Sequence, residues 1–196
     1  MTTRVRPDPA AEDSARRRIL DATLHVIATD GLDAVRHRSV AALAGVSLGS
    51  TTYHFASRND LVEAAFDHYL DEATAFLAEL VVPHGRPDVA SAIVDYVDRM
   101  LKAEFAEDGM VQAEYELILY AARSPRLAER LQRWEAAQCA QIEVVLREAG
   151  ASRPASGART LVALIRGLEI ERLTSGVTIR DLRRRVEPVV RALLEH

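Results

Sequence analysis

Apolar residues recur at helical spacing along most of the chain. Ala15, Ile19, Ala22 and Val26 step by four, three and four positions, which predicts an amphipathic helix closed by Asp30-Gly31. Two short helical segments follow, Ser39–Ala44 and Leu48–Phe55, joined by Ala44-Gly45-Val46-Ser47. Gly45 can take the left-handed conformation of a sharp turn, and Ser47 can cap the second segment. Ser57-Arg58-Asn59-Asp60 fits a capping box, with Asp60 reaching back over a new helix start. The stripe Leu61, Ala65, Tyr69, Ala73, Phe76 and Leu80 then predicts one long helix.

Val82-Pro83-His84-Gly85-Arg86-Pro87 is the clearest break in the first half. Beyond it, Ile93, Val97, Met100 and Leu101 mark a helix over about 88–106, and another is expected over about 110–122. Ser124-Pro125 is a strong start signal, a cap followed by proline at the first helical position. Leu127, Leu131, Trp134, Ile142, Val145 and Ala149 hold helical phase from there to Gly150, and 151–157 reads as a linker rich in Ser, Pro and Gly. Leu161, Ile165 and Leu168 open a penultimate helix that ends near Ser175-Gly176. Thr178-Ile179-Arg180-Asp181 is a second capping box, leading into Leu182, Val186, Val189 and Leu193. No alternating strand pattern occurs, so the expected fold is all-α with about nine helices.

Composition narrows the classes. The 196 residues carry one Cys, which excludes a disulfide framework and a cysteine zinc site. No apolar run approaches the ~18–20 residues of a membrane span, and the N-terminus, with Arg4, Arg6, Pro7, Asp8 and Pro9, holds no apolar signal region. A cytoplasmic protein with no membrane contact is the expectation. The net charge of −4 argues against nucleic acid until it is split. Residues 1–58 hold eight Arg and six acids, a local +2, which leaves −6 for the rest. That asymmetry is the first functional hint.

The sharpest motif lies at 39–55, where two short helices around a four-residue turn have the dimensions of a helix-turn-helix. Val40, Leu43 and Val46 would pack the pair onto the first long helix and leave the second short helix outward. It shows Ser47, Leu48, Gly49, Ser50, Thr51, Thr52, Tyr53 and His54, and short hydroxyl residues suit close approach to a DNA backbone and base edges. Arg36, His37 and Arg38 before it and Arg58 after it could reach phosphates on either side.

The stretch VAALAGVSLGSTTYHFASRNDLVEAAF, Val40 to Phe66, resembles the signature of TetR-type transcriptional regulators, commonly I-A-x-x-A-G-V-S-x-G-x-x-Y-x-x-F-x-x-K-x-x-L. Val40 stands at the Ile position; Ala41, Ala44 to Ser47, Gly49, Phe55 and Leu61 match outright. The resemblance covers about residues 14–70. Two positions depart from it. The usual Lys is Arg58, which keeps the charge and adds bidentate geometry. The usual Tyr falls at Thr52, with the aromatic one place later at Tyr53, an offset that turns the phenol by ~100° around the helix and re-aims its contact.

The resemblance implies a disordered basic tail at 1–13, a DNA-binding domain at 14–58, and an effector-binding and dimerisation domain at 59–196. Two copies in a homodimer would place 48–54 in successive major grooves of a pseudo-palindromic double-stranded operator, and a small molecule would release it. Ser50 and Thr51 would set sequence preference, and Arg58 would add a sequence-independent contact. The last two helices would pair the protomers through Leu161, Ile165, Leu168, Leu182, Val186, Val189 and Leu193, although such stripes also suit the core of one chain. The middle helices would hold the effector against Phe76, Tyr96, Met100, Phe105, Tyr115, Leu119 and Trp134, with Glu114 or Glu116 as polar anchors, and plain core packing is open for each. The helix from Ser57 to Leu80 would carry the signal.

Other chemistry finds little support. The six His show no pair at metal spacing, Cys139 has no base near it in sequence, and no phosphate loop or nucleophile elbow occurs. Arg183-Arg184-Arg185 is flanked by Asp181 and Glu187 and reads as a solvated helix face. Neither an enzyme nor a cofactor or metal site is expected. The alternative is a TetR-like helical module that binds small molecules or proteins without sequence-specific DNA binding.

Overall fold

A computed structural model of the protein describes residues 9–79, 88–106 and 108–195. Among them lie nine α-helices and no strand: α1 (Pro9–Asp30), α2 (His37–Ala44), α3 (Leu48–His54), α4 (Arg58–Glu79), α5 (Val89–Glu104), α6 (Met110–Ala121), α7 (Pro125–Glu148), α8 (Pro154–Ser175) and α9 (Ile179–Leu194). The expected break at 82–87 falls outside the described residues, as do Leu80 of the α4 stripe and residues 1–8 of the expected tail. Residues 9–13 of that tail are helix. Glu12 in the first turn suits the positive end of the helix dipole.

Local chemistry sets the boundaries. Gly45 ends α2 at φ 64°, ψ 35°, its amide on Ala42 O and the Val46 amide on Ala41 O at 3.0 Å. Ser47 then caps α3, its hydroxyl accepting from Ser50 N at 3.0 Å. Both capping boxes form. Ser57 and Asp60 exchange bonds of 2.9 and 3.1 Å at α4, and Thr178 Oγ1 accepts from Asp181 N at 3.2 Å at α9. A 3₁₀ turn at Leu32–Ala34 carries no hydrophobic period and was not expected. The linker at 151–157 is shorter than expected, because Pro154 starts α8. Gly157 is buried there, and a Cβ on it would meet Leu146 Cδ1 at 3.0 Å. It serves close helix packing rather than flexibility.

Two apolar cores result. The first joins α1 to α4 with α6 and the start of α7, from Ile19, Leu20 and Ile27 through Val40, Leu61 and Phe66 to Leu117, Leu127 and Trp134. The second joins α5, the end of α7, α8 and α9 through Val97, Leu101, Leu146, Leu161, Leu182 and Val186. The helix-turn-helix unit therefore shares its core with α4, α6 and α7. No helix among the described residues is long and apolar enough to cross a membrane.

Candidate nucleic-acid interface and effector cavity

The α2–α3 pair stands against α1 through Val40, Ala44 and the half-buried Val46. Leu43, expected in that packing, is 51% exposed instead. α3 presents Leu48, Gly49, Thr52 and Tyr53 outward, with Ser47 at its head and Ser50 and His54 half-buried. Tyr53 is the most open of these at 74%. The Thr52 hydroxyl donates back to the Leu48 and Gly49 carbonyls at 3.1 Å, and the residue is exposed.

Three of the expected DNA contacts have places or partners within the chain. Thr51 is fully buried, because it follows Val40 and Ala44 into the core, so it has no face for a base. The His37 ring nitrogen Nε2 donates to Phe55 O at 2.9 Å and braces the two ends of the motif. Arg58 donates to Leu32 O at 2.6 Å and sits 3.7 Å from Asp33, which ties α4 to the 3₁₀ turn. Arg36 donates to the Asp33 and Val35 carbonyls yet stays exposed, and Arg38 is exposed with no partner among the described residues. Of the expected Arg36, His37, Arg38 and Arg58, the exposed ones are Arg36 and Arg38.

The expected dimer stripe lies inside the single chain. Leu161, Ile165, Leu168, Leu182 and Val186 are at most 4% exposed, and Val189 and Leu193 are half-buried against the same core. Buried side chains offer no area to a partner. α8 exposes Ser156, Arg159, Thr160 and Leu173 among others, and Ala163, Gly167, Ile170 and Thr174 follow one another along one face, with Ile170 48% exposed.

Between α4, α5, α6 and α7 lies a cavity of about 270 Å³, walled by Tyr69, Phe76, Leu77, Met110 and Trp134, with Glu72 at its exposed rim and Glu104, Glu114 and Gln138 in its lining. Leu77, Glu104, Glu114, Trp134 and Gln138 also line a narrow cleft of about 20 Å³ that reaches Tyr96, Met100, Arg166 and Glu169. Of the expected residues, Phe76 lines the cavity, Tyr96 and Met100 the cleft, and Glu114 and Trp134 both. The other candidates do not. Leu119 is 69% exposed, on the face of α6 opposite Leu117. Phe105 stacks under the Arg172 guanidinium at 4.5 Å beside a separate depression. The Tyr115 hydroxyl donates to Glu169 Oε2 at 2.6 Å and braces the cavity from behind. Glu116 points away from it and accepts the Leu32 amide at 2.6 Å.

The polar lining is unusual. Glu104, Glu114 and Glu169 share one neighbouring cation, Arg166, whose Nη1 is 3.5 Å from Glu114 and Nη2 3.4 Å from Glu135. Its guanidinium also lies 5.4 Å over the Trp134 ring. Burial and the neighbouring Glu169 push the Glu114 carboxyl up to about 7, against hydrogen bonds from Tyr69 and Arg166. Burial, then Glu169 and Glu114, push Glu104 well above the ordinary carboxylate range. Glu104 Oε2 and Trp134 Nε1 are buried without a hydrogen-bond partner among the described residues. Sequence reasoning missed Glu104, Arg166 and Glu169. The signal was present, since Met100 to Glu104 and Ile165 to Glu169 are i,i+4 steps that carry a charge onto a buried face.

Residues 19–65 match the family described as bacterial regulatory proteins, tetR family, and residues 84–196 match the tetracyclin repressor-like C-terminal domain. The chain is 28% identical over 178 residues to the HTH-type transcriptional regulator BetI of Paraburkholderia phytofirmans, covering 87% of each. With the nicotine-responsive transcriptional repressor HdnoR of Paenarthrobacter nicotinovorans it shares 28% identity over 111 residues, 56% of either chain. Among solved structures, a transcriptional regulator from Rhodococcus sp. Rha1 superposes with a TM-score of 0.80 at 25% identity, over 92% of this chain and 96% of that one. The multidrug binding protein EbrR in complex with ethidium superposes at 0.65 with 30% identity, over 89% and 98%.

Proposed function

The chain belongs to the TetR family of bacterial regulatory proteins, and on that premise we propose that it is a homodimeric repressor released from a pseudo-palindromic operator when a small molecule fills the α4–α7 cavity. α3 enters the major groove with Ser47, Leu48, Gly49, Ser50, Thr52 and Tyr53 toward the bases, while Arg36 and Arg38 hold phosphates. The outward face of α8, at Ala163, Gly167 and Ile170, meets its copy in the partner, where small residues let two helices approach closely. Two relatives support a ligand-responsive reading, one named for its response to nicotine and one holding ethidium.

One observation carries the proposal. α6 lines the cavity with Glu114 and, two residues on, holds the Leu32 amide with Glu116. Leu32 O in turn accepts from Arg58 at the head of α4, so the 3₁₀ turn links α1, α4 and α6 at the base of the DNA-reading unit. A ligand that displaces Glu114 shifts α6, and the shift reaches the α2–α3 pair through that turn. The expected lever was α4 alone; α6 gives a shorter route.

Selection of bound duplexes from a random pool tests the DNA half of the proposal. A recovered pseudo-palindrome with salt-sensitive affinity supports it. Failure to enrich any sequence from the pool would remove it in favour of a helical binding module. Loss of the enriched duplex on adding a ligand that occupies the cavity tests the coupling.

A further inference from the structure

Resting on the reading of this cavity as the effector site, we infer that the effector is an organic monocation with an apolar body, its charge taken by Glu104 and Glu114 in exchange for one proton. Besides Glu72 at the rim, three carboxylates line the adjoining cavity and cleft, and Arg166 is the only basic side chain in either lining among the described residues. Arg166 is already divided between Glu114 and Glu135 at 3.5 and 3.4 Å, longer than the ~2.7–2.9 Å of a tight charge-assisted bond. Glu104 Oε2 has no donor among the described residues, although it is buried. Glu104 otherwise shares a hydrogen bond with Glu169, and two acids share such a bond only through a proton, so the empty site holds one. That matches the upward push on both carboxyls.

The walls suit a cation as well as the acids do. Trp134 faces the cavity with Tyr69 and Phe76, and its ring already accepts the Arg166 guanidinium over its face. Trp134 is 7% exposed and its Nε1 lacks an acceptor among the described residues, so a ligand atom with a lone pair would complete it. The charged and titratable groups around Glu114 come from every packed helix: Tyr69 and Glu72 from α4, Tyr96 and Glu104 from α5, Tyr115 from α6, Glu135 from α7, and Arg166 and Glu169 from α8. Arg166 is the one cation in the two linings among the described residues, and Arg99 acts on Tyr96. When the ligand enters, the O–H bond of one carboxyl breaks, its proton passes to solvent, and the carboxylate pairs with the ligand charge.

N-Benzylpyridinium, its neutral isostere diphenylmethane and the anion 4-benzylbenzoate test this on the full chain without DNA. Trp134 is the single tryptophan, so its emission reports occupancy, and calorimetry in two buffers of different ionisation heat counts the proton. The pyridinium is expected to quench Trp134 and release a proton. One proton linked at about 7 tightens its binding about 20-fold between roughly pH 5.5 and 7.5. Both comparison ligands should bind at least about tenfold more weakly. Glu114→Gln and Glu104→Gln keep the shape; each should keep its fold by thermal melt, and Glu114→Gln should flatten the pH profile. Equal or tighter binding of diphenylmethane, a flat profile in the unaltered protein, or no quenching by the pyridinium would overturn the inference. If the pyridinium binds with proton release but leaves a selected operator duplex bound, the cation assignment stands and the repressor reading fails. Release of that duplex by diphenylmethane alone would overturn the cation assignment and leave the repressor reading standing.

Discussion

The Glu116 carboxylate accepts the Leu32 amide at 2.6 Å, joining the middle of α6 to the 3₁₀ turn 84 residues earlier. Charge-assisted bonds of this kind are the stronger class, and this amide has no helical partner of its own. Three helices meet at the turn, since Arg58 of α4 takes the Leu32 carbonyl and the Gly31 amide bonds Ile27 O of α1. The turn that precedes the α2–α3 pair is thus bound to α6, α4 and α1 at once.

Replacing Glu116 should separate binding from response. Glu116→Ala is expected to lose about 1–3 kcal/mol of stability, with much of it restored by Glu116→Gln, whose amide oxygen still accepts. Ligand affinity at the cavity should hold while the ligand's effect on operator affinity falls. Paired measurement of Trp134 quenching and duplex binding checks this, and unchanged release in Glu116→Ala would remove α6 from the route.

Gly109 supplies a second anchor of α6 on α1. It sits at φ 80°, and a Cβ there would lie 2.2 Å from the Ala28 carbonyl oxygen. Gly150 has a similar φ of 84° with nothing within 4 Å. Gly109→Ala should cost about 3 kcal/mol or more, because backbone strain adds to a clash that only main-chain movement relieves. Gly150→Ala should cost about 1 kcal/mol from strain alone. Urea melts of the two variants give the difference directly.

Much of this architecture was legible in the chain. Helical phase, capping boxes and the Gly45 turn are local codes, and each formed where its residues stand. The α3 surface was legible only in outline. Which of Ser50, Thr51 and Thr52 faces inward depends on how α3 rotates against α1, a tertiary matter. The stripes of α8 and α9 were read correctly as apolar but offered two destinations, a partner or the chain's own core. Packing of α5 against α9 and α7 against α8 decides for the core. Glu114 was legible as a polar anchor, whereas Glu104 and Glu169 were not, because a lone charge on an amphipathic helix reads as solvated even where its i,i+4 register turns it inward.

Tyr53 and Thr51 should part company in mutation. Tyr53→Ala removes a ring that is 74% exposed, so stability should change by less than about 0.5 kcal/mol while operator binding weakens. Thr51→Ala leaves a small void in a fully buried position and should cost about 1 kcal/mol of stability, with any binding loss following unfolding. Melting curves beside duplex titrations separate them. Full operator affinity in Tyr53→Ala would exclude the phenol from the interface.

The dimer face is open to a similar contrast. Ile170→Arg places a charge on the outward side of α8, where it should yield monomers that melt near the parent temperature at equal monomer content. Leu161→Ala cuts the shared core of one chain and should cost about 2–5 kcal/mol. Sedimentation equilibrium reads the first and denaturant melts the second. A dimer unaffected by Ile170→Arg would move the interface off this face.

Glu114 makes the stability of the empty protein fall as pH rises. Its carboxyl holds a proton up to about 7 in the folded chain, against an ordinary value of 4.5 once unfolded. Between those values the native state binds more protons than the unfolded one, so raising pH through that window favours unfolding. Stability is full below about 4.5, declines to about 7 and is level above it, as far as this group acts. A shift of that size corresponds to about 3 kcal/mol at most, with Glu104 adding in the same direction. Glu114→Gln has no proton to lose, so it should be the more stable protein at pH 8 and show a shallower slope between about pH 5 and 7. Urea melts across that range check the sign. Stability that rises with pH in the unaltered protein but not in Glu114→Gln would mean the carboxylate is held charged in the core, and that the cavity is not proton-loaded when empty.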